Sequence, residues 1–291
     1  MAVDIYCLGW QKSLPDFRDY SLDSPEVRVM LERLRPISTT ASDVFKSQSL
    51  ASYFPEVDDQ QQINSSPAQA CVDLVQYFER RALGRTVKLS KLFVYQATQR
   101  LVRTLGNSAV DLRSTLKAIV SFGIPYEQYW PYDVEKINDE PAAFLYAFAE
   151  RFRSIRYIRF DGRNSTGPET LATVKSLLDA GFPSVFGFSV PSSISRDGDI
   201  PYRPTFDTIQ GGHAVVAVGY DDQRVSSTRG SLQVRNSWGR DWGEDGYGWL
   251  PYAYVEEQLA ADFWSVVSDE WLDSDEFLRP RLPALDHDDE S

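Results

Sequence analysis

The feature that most constrains the fold is a polar loop that runs directly into a long apolar helix, over residues 59–78. Apolar side chains return at helical spacing on one face of this helix, at Ala70, Leu74 and Phe78. Ser65 or Ser66 is suited to cap the first free N–H groups, and Pro67 suits the first turn because it has no N–H to leave unpaired. The pattern predicts a buried helix with Ser66 at its N-terminus, where the helix dipole stabilises a developing anion.

Two further motifs lie far along the chain. Residues 211–220 form an apolar segment, Gly-Gly-His-Ala-Val-Val-Ala-Val-Gly-Tyr, that predicts a strand beginning near His213. Residues 234–248 carry Asn236, Trp238 and several glycines, and they predict an aromatic loop after a second strand. A lone histidine at the start of a strand is usually structural, so the importance of His213 depends on the motifs around it.

In this order and at this spacing, the loop before Ser66, the strand at His213 and the Asn-Ser-Trp-Gly loop resemble the papain-like cysteine peptidases. The resemblance extends over residues 55–267. It implies an α+β, papain-like two-lobe fold, in which a helical lobe with a central helix packs against an antiparallel, β-barrel-like lobe.

The resemblance also implies roles for individual side chains. Gln60 matches the glutamine that supplies an oxyanion-hole amide, His213 matches the base, and Asn236 matches the residue that orients this base. Trp238 matches the tryptophan that shields the His and Asn pair from water. The position of the nucleophilic cysteine falls on Ser66.

A serine at this position changes the expected chemistry. A thiol, with a pKa of about 8.5, can pass its proton to a neighbouring imidazole and rest as a thiolate beside an imidazolium. A serine hydroxyl is far too weak an acid for that, and serine hydrolases depend on a buried carboxylate behind the histidine. Asn236 cannot supply that charge, and an Asp-to-Asn change in a serine triad costs about 10⁴ in rate. We therefore expect Ser66 with His213 to be very slow at best.

Two departures flank the same site. Where the family pattern has glycine, this chain has Gln61 and Asn64, and glycines there let a substrate backbone approach closely. We expect the two side chains to crowd the cleft. They favour a natural loss of the peptidase site over a Ser66 introduced in place of cysteine, because such a single change would leave the glycines in place.

These features predict a catalytically impaired or inactive papain-like homologue, a pseudopeptidase that binds a polypeptide as an adaptor or structural component. We expect binding contacts from residues around the cleft, at Asn64, Ser65, Gly212 and Trp238. The alternative is an active hydrolase that uses Ser66 and His213, and the retained Gln60 and Asn236 favour it.

The cysteines and histidines do not indicate a metal site or a disulfide framework. Cys71 lies five residues after Ser66, away from the helix start, and we expect a small buried apolar residue there. A disulfide between Cys7 and Cys71 stays open, although two cysteines in 291 residues do not suggest an oxidised scaffold. Because His213 and His287 are the only histidines and no Cys/His cluster or phosphate loop occurs, we expect no metal and no cofactor.

Length and apolar content allow one large core. With 291 residues and 42% apolar side chains, we expect a single papain-like domain over residues 1–268. We expect this domain to consist of an N-terminal extension (about residues 1–54), a helical lobe (55–150) and a β lobe (151–268). An acidic C-terminal tail follows it, over residues 269–291.

The net charge of −12 is unevenly placed, because residues 269–291 hold nine acidic and two basic side chains. We expect a solvated terminus there. The alternative is that its apolar residues dock on a partner, at Trp271, Leu272, Phe277 and Leu278. A smaller basic patch, at Arg80, Arg81, Arg85, Lys88 and Lys91, predicts a solvated face. The overall charge argues against nucleic-acid binding.

The first residues carry no targeting signal. No run approaches the roughly 18 apolar residues of a membrane helix, and residues 1–10 lack the features of a signal peptide, so a cytoplasmic location is the default expectation. Residues 9–20 form an extended aromatic segment that resembles the N-terminal stretch of bacterial members of the family. In peptidases of this family a long N-terminal prosegment often blocks the cleft; the stretch before Ser66 is too short for one, so we expect no separate inhibitory segment.

Overall fold

The structure is a computed structural model that describes residues 8–14, 16–31, 46–149, 155–162, 165–225, 227–274 and 276. The first five helices are α1 (Pro25–Leu31), α2 (Ser66–Leu83), α3 (Lys91–Val102), α4 (Leu112–Phe122) and α5 (Ala143–Phe148). Short 3-10 turns lie at Ala51–Tyr53, Glu127–Tyr129 and Val134–Lys136. The later helices are α6 (Gly167–Asp179), α7 (Ala253–Glu256) and α8 (Asp269–Leu272).

The strands are joined in one sheet. They are β1 (Tyr20–Ser21), β2 (Ser47–Ser49), β3 (Arg156–Arg159), β4 (Ser184–Pro191), β5 (Ile209–Val225), β6 (Arg229–Arg235), β7 (Tyr247–Pro251) and β8 (Ala260–Val267). Their order is β1-β3-β8-β4-β5-β6-β7, and β2 pairs with β5. Among the described residues these pairings are antiparallel, except for that of β1 with β3. A helical lobe beside an antiparallel-dominated sheet confirms the expected α+β, two-lobe fold.

Helix α2 is the central element, and it is buried along nearly its whole length. Aromatic side chains pack against it: Phe54 stacks on Tyr77 and Trp271 stacks on Phe78, with ring centroids 4.8 Å and 4.9 Å apart. The helix ends at Gly84, whose left-handed φ of 63° lets its N–H bond back to the last turn. Such burial fixes the N-terminus of α2 against β5, where the site lies.

Helices α3 and α4 frame the other side of the cleft. Ser90 caps α3 by accepting the N–H of Phe93, as its place in the sequence predicts, and Asp111 caps α4 by accepting the N–H of Ser114. The connection between the two helices carries Val110 to the edge of the cleft. The two caps therefore fix where this connection can lie.

A buried ion network ties the two lobes together. Asp73 of α2 accepts a hydrogen bond from Nε of Arg235 at 2.8 Å, and its other carboxylate oxygen lies 2.6 Å from Nζ of Lys91. Lys91 also pairs with Asp58 at 2.8 Å. Because Arg235 directly precedes Asn236, the network fixes the loop that carries this residue.

The burial of several charged and aromatic side chains differs from the expectation for solvated segments. Trp271 and Leu272 are buried in the core, so the chain is folded past residue 268, and Arg81 and Lys91 of the basic patch are buried as well. The indole N–H of Trp271 donates to Glu79 at 3.1 Å, which satisfies its polar atom. The other residues proposed for docking, Phe277 and Leu278, lie outside the described residues, as do His287 and Cys7.

Two further expectations concern cysteine and the membrane. Cys71 is fully buried on α2, and burial raises the pKa of its thiol well above the usual value, so it is a packing residue. In the part of the chain that the structure describes, no helix is both long and apolar enough to span a bilayer.

Candidate active site

Ser66 is the first residue of α2 and is fully buried. The preceding Ser65 occupies the capping position, but its side chain makes no capping hydrogen bond, so the expectation of a side-chain cap there is wrong. The hydroxyl of Ser65 instead lies 2.7 Å from the hydroxyl of Tyr132. Because Tyr132 also donates to the carbonyl of Gln60 at 2.9 Å, it holds the loop before α2 in place.

The hydroxyl of Ser66 is directed towards the backbone of β5. Its Oγ accepts the N–H of Ala214 at 3.3 Å. Within the described ranges, no hydrogen bond joins Ser66 to the imidazole of His213, although the two residues lie at neighbouring ends of α2 and β5. In this structure the serine hydroxyl therefore makes no direct hydrogen bond through which it could pass its proton to that ring.

The tautomer of His213 follows from its partners. Asn236 Oδ1 accepts the backbone N–H of Ser237 at 2.7 Å, which identifies this atom as the amide oxygen. The same oxygen lies 2.7 Å from Nε2 of His213, so Nε2 must carry the proton. In a neutral ring, Nδ1 is then an unprotonated acceptor, and among the described residues it has no hydrogen-bond partner.

The surroundings of His213 favour the neutral ring. The residue is fully buried, and this burial lowers the pKa of its ring to about 4, although the hydrogen bond that it donates to Asn236 raises the pKa. Its ring lies 4.3 Å from that of Trp238 and 6.0 Å from that of Phe188, measured between centroids. Trp238 thus covers one face of the imidazole, and burial favours the neutral ring.

Gln60 links the loop before α2 to the loop that carries Asn236. Its Oε1 accepts the hydroxyl of Ser237 at 2.6 Å, and its backbone N–H donates to the carbonyl of the same residue at 2.8 Å. Its side-chain Nε2 donates to the carbonyl of Ile63 at 2.9 Å. The amide is fully buried and held close to the start of α2.

The two positions where the family pattern has glycine behave differently. Gln61 keeps a left-handed backbone, with φ of 53°, and its side chain is exposed. Asn64 makes two hydrogen bonds to Asn107: its backbone N–H donates to the side-chain Oδ1 at 2.6 Å, and its Nδ2 donates to the backbone carbonyl at 2.8 Å. The crowding expected from these two side chains is therefore modest, because one is exposed and the other is bonded to the neighbouring loop.

The cleft between the lobes is filled by another part of the chain, residues 8–14, which we call the cleft segment. The N–H of Trp10 donates to the carbonyl of Gly212 at 3.0 Å, directly before His213. On the opposite wall, the N–H of Val110 donates to the carbonyl of Gly9 at 2.9 Å, and Val110 accepts the N–H of Gln11 at 3.1 Å. The segment thus binds as an extended strand between both lobes.

The occupied cleft differs from the expectation that no segment blocks it. A run of seven residues, too short for a long prosegment, is enough to occupy the cleft because it makes main-chain hydrogen bonds to both walls. Glycines of the β lobe make room for it, since Gly187 and Gly212 lie against Trp10 and Gly211 lies against Leu8. A single sequence does not reveal that these positions meet, because they are brought together only by the fold.

The predicted site residues are therefore brought together, with the cleft segment added. Gln60, Ser66, His213, Asn236 and Trp238 surround one point at the junction of α2 and β5, and Asn64, Ser65 and Gly212 line the adjoining cleft. No group of three or more potential metal ligands occurs among the described residues.

Comparisons with known proteins agree with this geometry. Residues 43–258 match the sequence profile of the family described as papain family cysteine protease. An uncharacterized peptidase C1-like protein of Acanthamoeba polyphaga mimivirus is 31% identical over 272 residues, which cover 89% of this chain and 86% of that protein.

Solved structures show the same fold. Xylellain, a cysteine protease from Xylella fastidiosa, is 28% identical and superposes with a TM-score of 0.71, covering 90% of this chain and 96% of that one. The bromelain protease from Ananas comosus, at 19% identity, has a TM-score of 0.57 over 78% of this chain and 100% of that one.

Proposed function

Because the chain belongs to the papain family of cysteine proteases, we propose that it is a pseudopeptidase whose cleft binds an extended polypeptide strand without hydrolysing it. In this proposal Ser66 occupies the position of the nucleophile, His213 that of the base, Asn236 that of its orienting residue and Gln60 that of the oxyanion amide. The bound strand serves recognition, so that the protein acts as an adaptor or structural component.

The observation that carries the proposal is the cleft segment itself. Three main-chain hydrogen bonds hold an extended strand between Val110 and Gly212, immediately beside His213. Main-chain hydrogen bonds of this kind supply affinity for a peptide regardless of any chemistry at the site. The cleft is therefore built to hold a polypeptide.

The chemistry at Ser66 supports the absence of hydrolysis. Its hydroxyl accepts the backbone N–H of Ala214, and the partner of His213 Nε2 is the amide of Asn236, with no carboxylate bonded to the ring among the described residues. A serine nucleophile needs its proton removed during attack and the resulting imidazolium stabilised. A buried ring with a pKa near 4 opposes that charge, so attack by Ser66 is strongly disfavoured.

A second candidate function is slow hydrolysis by Ser66 and His213. The unprotonated Nδ1 of His213 favours it, because a general base needs such a lone pair and Asn236 orients the ring through Nε2. Ser66 Oγ would have to come within hydrogen-bonding distance of Nδ1, which has no hydrogen-bond partner among the described residues. The two candidates differ in whether any peptide bond is cleaved.

Two measurements on the full-length chain test the proposal. Both use Trp10→Ala, in which the segment that occupies the cleft is weakened. In the first, a mixed fluorogenic peptide library is incubated with Trp10→Ala and with Trp10→Ala that also carries Ser66→Ala; we expect no turnover by either. In the second, an unlabelled peptide library is passed with Trp10→Ala through gel filtration, and we expect intact peptides to co-elute and to be identified by mass spectrometry. Turnover that disappears in Ser66→Ala would support the hydrolase instead, and the absence of any retained peptide would refute a binding role.

A further inference from the structure

The cleft segment alternates between anchored and exposed positions. Gly9 and Ser13 are buried and Trp10 is half-buried, whereas Gln11 and Lys12 between them are exposed. When a cleft binds an extended strand, it can distinguish the side chains that it encloses but not those that face solvent. The segment therefore shows which side chains the cleft can distinguish.

Gly9 is required by the close approach of two backbones. A Cβ atom at this position would overlap the backbone carbonyl of Asn64, which lies two residues before Ser66. The overlap involves main-chain atoms fixed by the buried start of α2, so a larger side chain cannot be accommodated by a simple rotamer change. The cleft accepts only glycine at this point of the strand.

Trp10 fits a slot that is opened by missing side chains. A Cβ at Gly187 or at Gly212 would overlap the indole ring, so these two glycines create the space that it fills. At the end of the slot, the indole N–H donates to Oδ2 of Asp262 at 3.3 Å. The slot thus offers a large apolar volume with one acceptor, which matches a tryptophan better than a phenylalanine.

Ser13 provides the third anchor. Its backbone N–H donates to the same Oδ2 of Asp262 at 2.6 Å, and its hydroxyl donates to Oδ1 of Asp111 at 3.2 Å. The side chain is only 5% exposed, so a small hydroxyl residue is favoured there. Asp262 joins the second and third anchors, and its other oxygen is held by Arg159 at 2.9 Å.

We propose that the cleft selects polypeptide partners by the pattern Gly-Trp-x-x-Ser, and that such a partner binds by replacing the cleft segment. The proposal rests on the peptide-binding function proposed above and names the class of peptide that this site takes. The partner is an extended segment with a glycine directly before a tryptophan and a serine three residues after it. The two intervening positions are free to vary because they face solvent.

Replacement is energetically accessible because the cleft segment is held by few contacts. Among the described residues it is held by three main-chain hydrogen bonds, by the half-buried ring of Trp10 with its bond to Asp262, and by the contacts of Ser13, so few bonds have to be exchanged for those of a partner. As part of the same chain, however, it competes at an effective concentration in the millimolar range. A partner peptide must therefore bind more weakly to the wild-type chain than to a chain whose own segment is impaired.

The test measures binding of a fluorescently labelled peptide, Leu-Gly-Trp-Gln-Lys-Ser-Leu, by fluorescence anisotropy. The proteins are the full-length wild type, Trp10→Ala and Gly9→Ala, each of which impairs the cleft segment differently. Leu14→Ala is the matched control, because this apolar residue lies in the same segment but is 82% exposed. Thermal melting of each chain verifies that it is folded before binding is measured.

We expect the peptide to bind Trp10→Ala and Gly9→Ala at least about tenfold more tightly than wild type or Leu14→Ala, since the competitor is weakened only in the first two. Changed peptides should bind Trp10→Ala more weakly than the native peptide does. We expect a loss of at least about tenfold for the peptide with Ala in place of Gly and for the scrambled peptide, and a loss of about threefold for the peptide with Phe in place of Trp. Asp262→Ala, added to Trp10→Ala, should remove the preference for Trp over Phe.

Equal binding of the native and scrambled peptides to Trp10→Ala would overturn the proposed pattern. If library peptides are still retained in gel filtration, the peptide-binding function stands and only the pattern fails. If no library peptide is retained by Trp10→Ala either, both the pattern and the peptide-binding function fail.

Discussion

Ser66 Oγ accepts the backbone N–H of Ala214 at 3.3 Å, and in the residues that the structure describes it is not hydrogen-bonded to His213. The residue after the imidazole, rather than the imidazole itself, is thus the partner of this hydroxyl. This arrangement underlies our proposal that the site keeps the geometry that binds a strand but does not transfer a proton from the nucleophile position.

The first prediction concerns the tautomer of His213. We expect a neutral ring protonated at Nε2 at pH 7, because Asn236 Oδ1 is an acceptor and burial lowers the pKa of the ring to about 4. Long-range nitrogen-proton NMR correlations of the labelled chain would identify the protonated nitrogen. An imidazolium signal at pH 7 would contradict the neutral ring and would restore the possibility of an ion pair at the site.

The second prediction concerns stability in acid. The pKa of His213 is lower in the folded chain than its usual 6.5, so the unfolded chain binds the proton more readily between pH 6.5 and 4. The stability that this residue contributes is complete above pH 6.5 and is lost as the pH falls towards 4, by about 3 kcal/mol. Urea unfolding of wild type and His213→Gln at several pH values measures this loss.

We expect the free energy of unfolding of His213→Gln to fall less steeply over that pH range than that of wild type. Other groups titrate in both proteins, among them Asp262, whose pKa burial raises to about 6, so the difference between the two chains isolates the histidine. Parallel pH profiles for the two chains would show that His213 does not titrate in this range.

The third prediction compares two lysines that pair with the same carboxylate. Lys91 lies 2.8 Å from Asp58 with 3% of its side chain exposed, whereas Lys88 lies 3.5 Å from it with 67% exposed. Lys91→Met leaves the buried Asp73 with one fewer partner and should cost about 3–5 kcal/mol in the free energy of unfolding. Lys88→Met removes an exposed pair and should cost about 1 kcal/mol or less.

Urea denaturation of the two variants measures both costs. Because Asp73 also binds Arg235, the loss in Lys91→Met should be accompanied by a disturbed environment at Asn236, visible as a shift of the His213 NMR signals. Equal costs for the two lysine variants would show that the network does not depend on burial.

The fourth prediction concerns backbone strain at Gln61. Its φ of 53° lies in the left-handed region, which glycine adopts at little cost and a side chain adopts at about 1 kcal/mol. Gln61→Gly should therefore stabilise the chain by a few tenths to about 1 kcal/mol, despite the greater freedom of glycine in the unfolded state. Gln62→Gly, at an exposed neighbour, is the matched control and should destabilise by a similar amount.

Much of the site is predictable from local patterns. The helix start at Ser66, the strand at His213 and the loop with Asn236 each follow from spacing and motif, and the resemblance to a family brings them together. The cap of α3 at Ser90 is also predictable from the local sequence, since Ser90 acts within one turn of the helix that it caps.

Other features depend on contacts between distant residues and do not follow from the sequence. Trp10 and Asp262 are separated by 252 positions and meet only because the cleft segment crosses both lobes. Trp271 lies in an acidic stretch that reads as solvated, yet it is buried because α2 offers the ring of Phe78 and the carboxylate of Glu79. Composition describes a segment, whereas burial depends on what the rest of the chain presents to it.

Because the cleft is occupied, any test of activity needs a control: two separate features of the wild-type chain would prevent turnover. The cleft segment excludes substrate, and Ser66 lacks the acidity of a thiol. Trp10→Ala weakens the cleft segment and changes none of the side chains around Ser66, so it distinguishes an occupied cleft from an inactive nucleophile.

The most direct measurement is therefore turnover of the fluorogenic peptide library by Trp10→Ala, by Trp10→Ala with Ser66→Cys, and by Trp10→Ala with Ser66→Ala. We predict that Trp10→Ala is as silent as the chain with Ser66→Ala. We predict that the chain with Ser66→Cys gains activity, because a thiol is far more acidic than a hydroxyl and the charge of its thiolate would stabilise an imidazolium at His213 that the serine site does not support. Turnover by Trp10→Ala that is lost with Ser66→Ala would contradict the account and identify Ser66 as a working nucleophile.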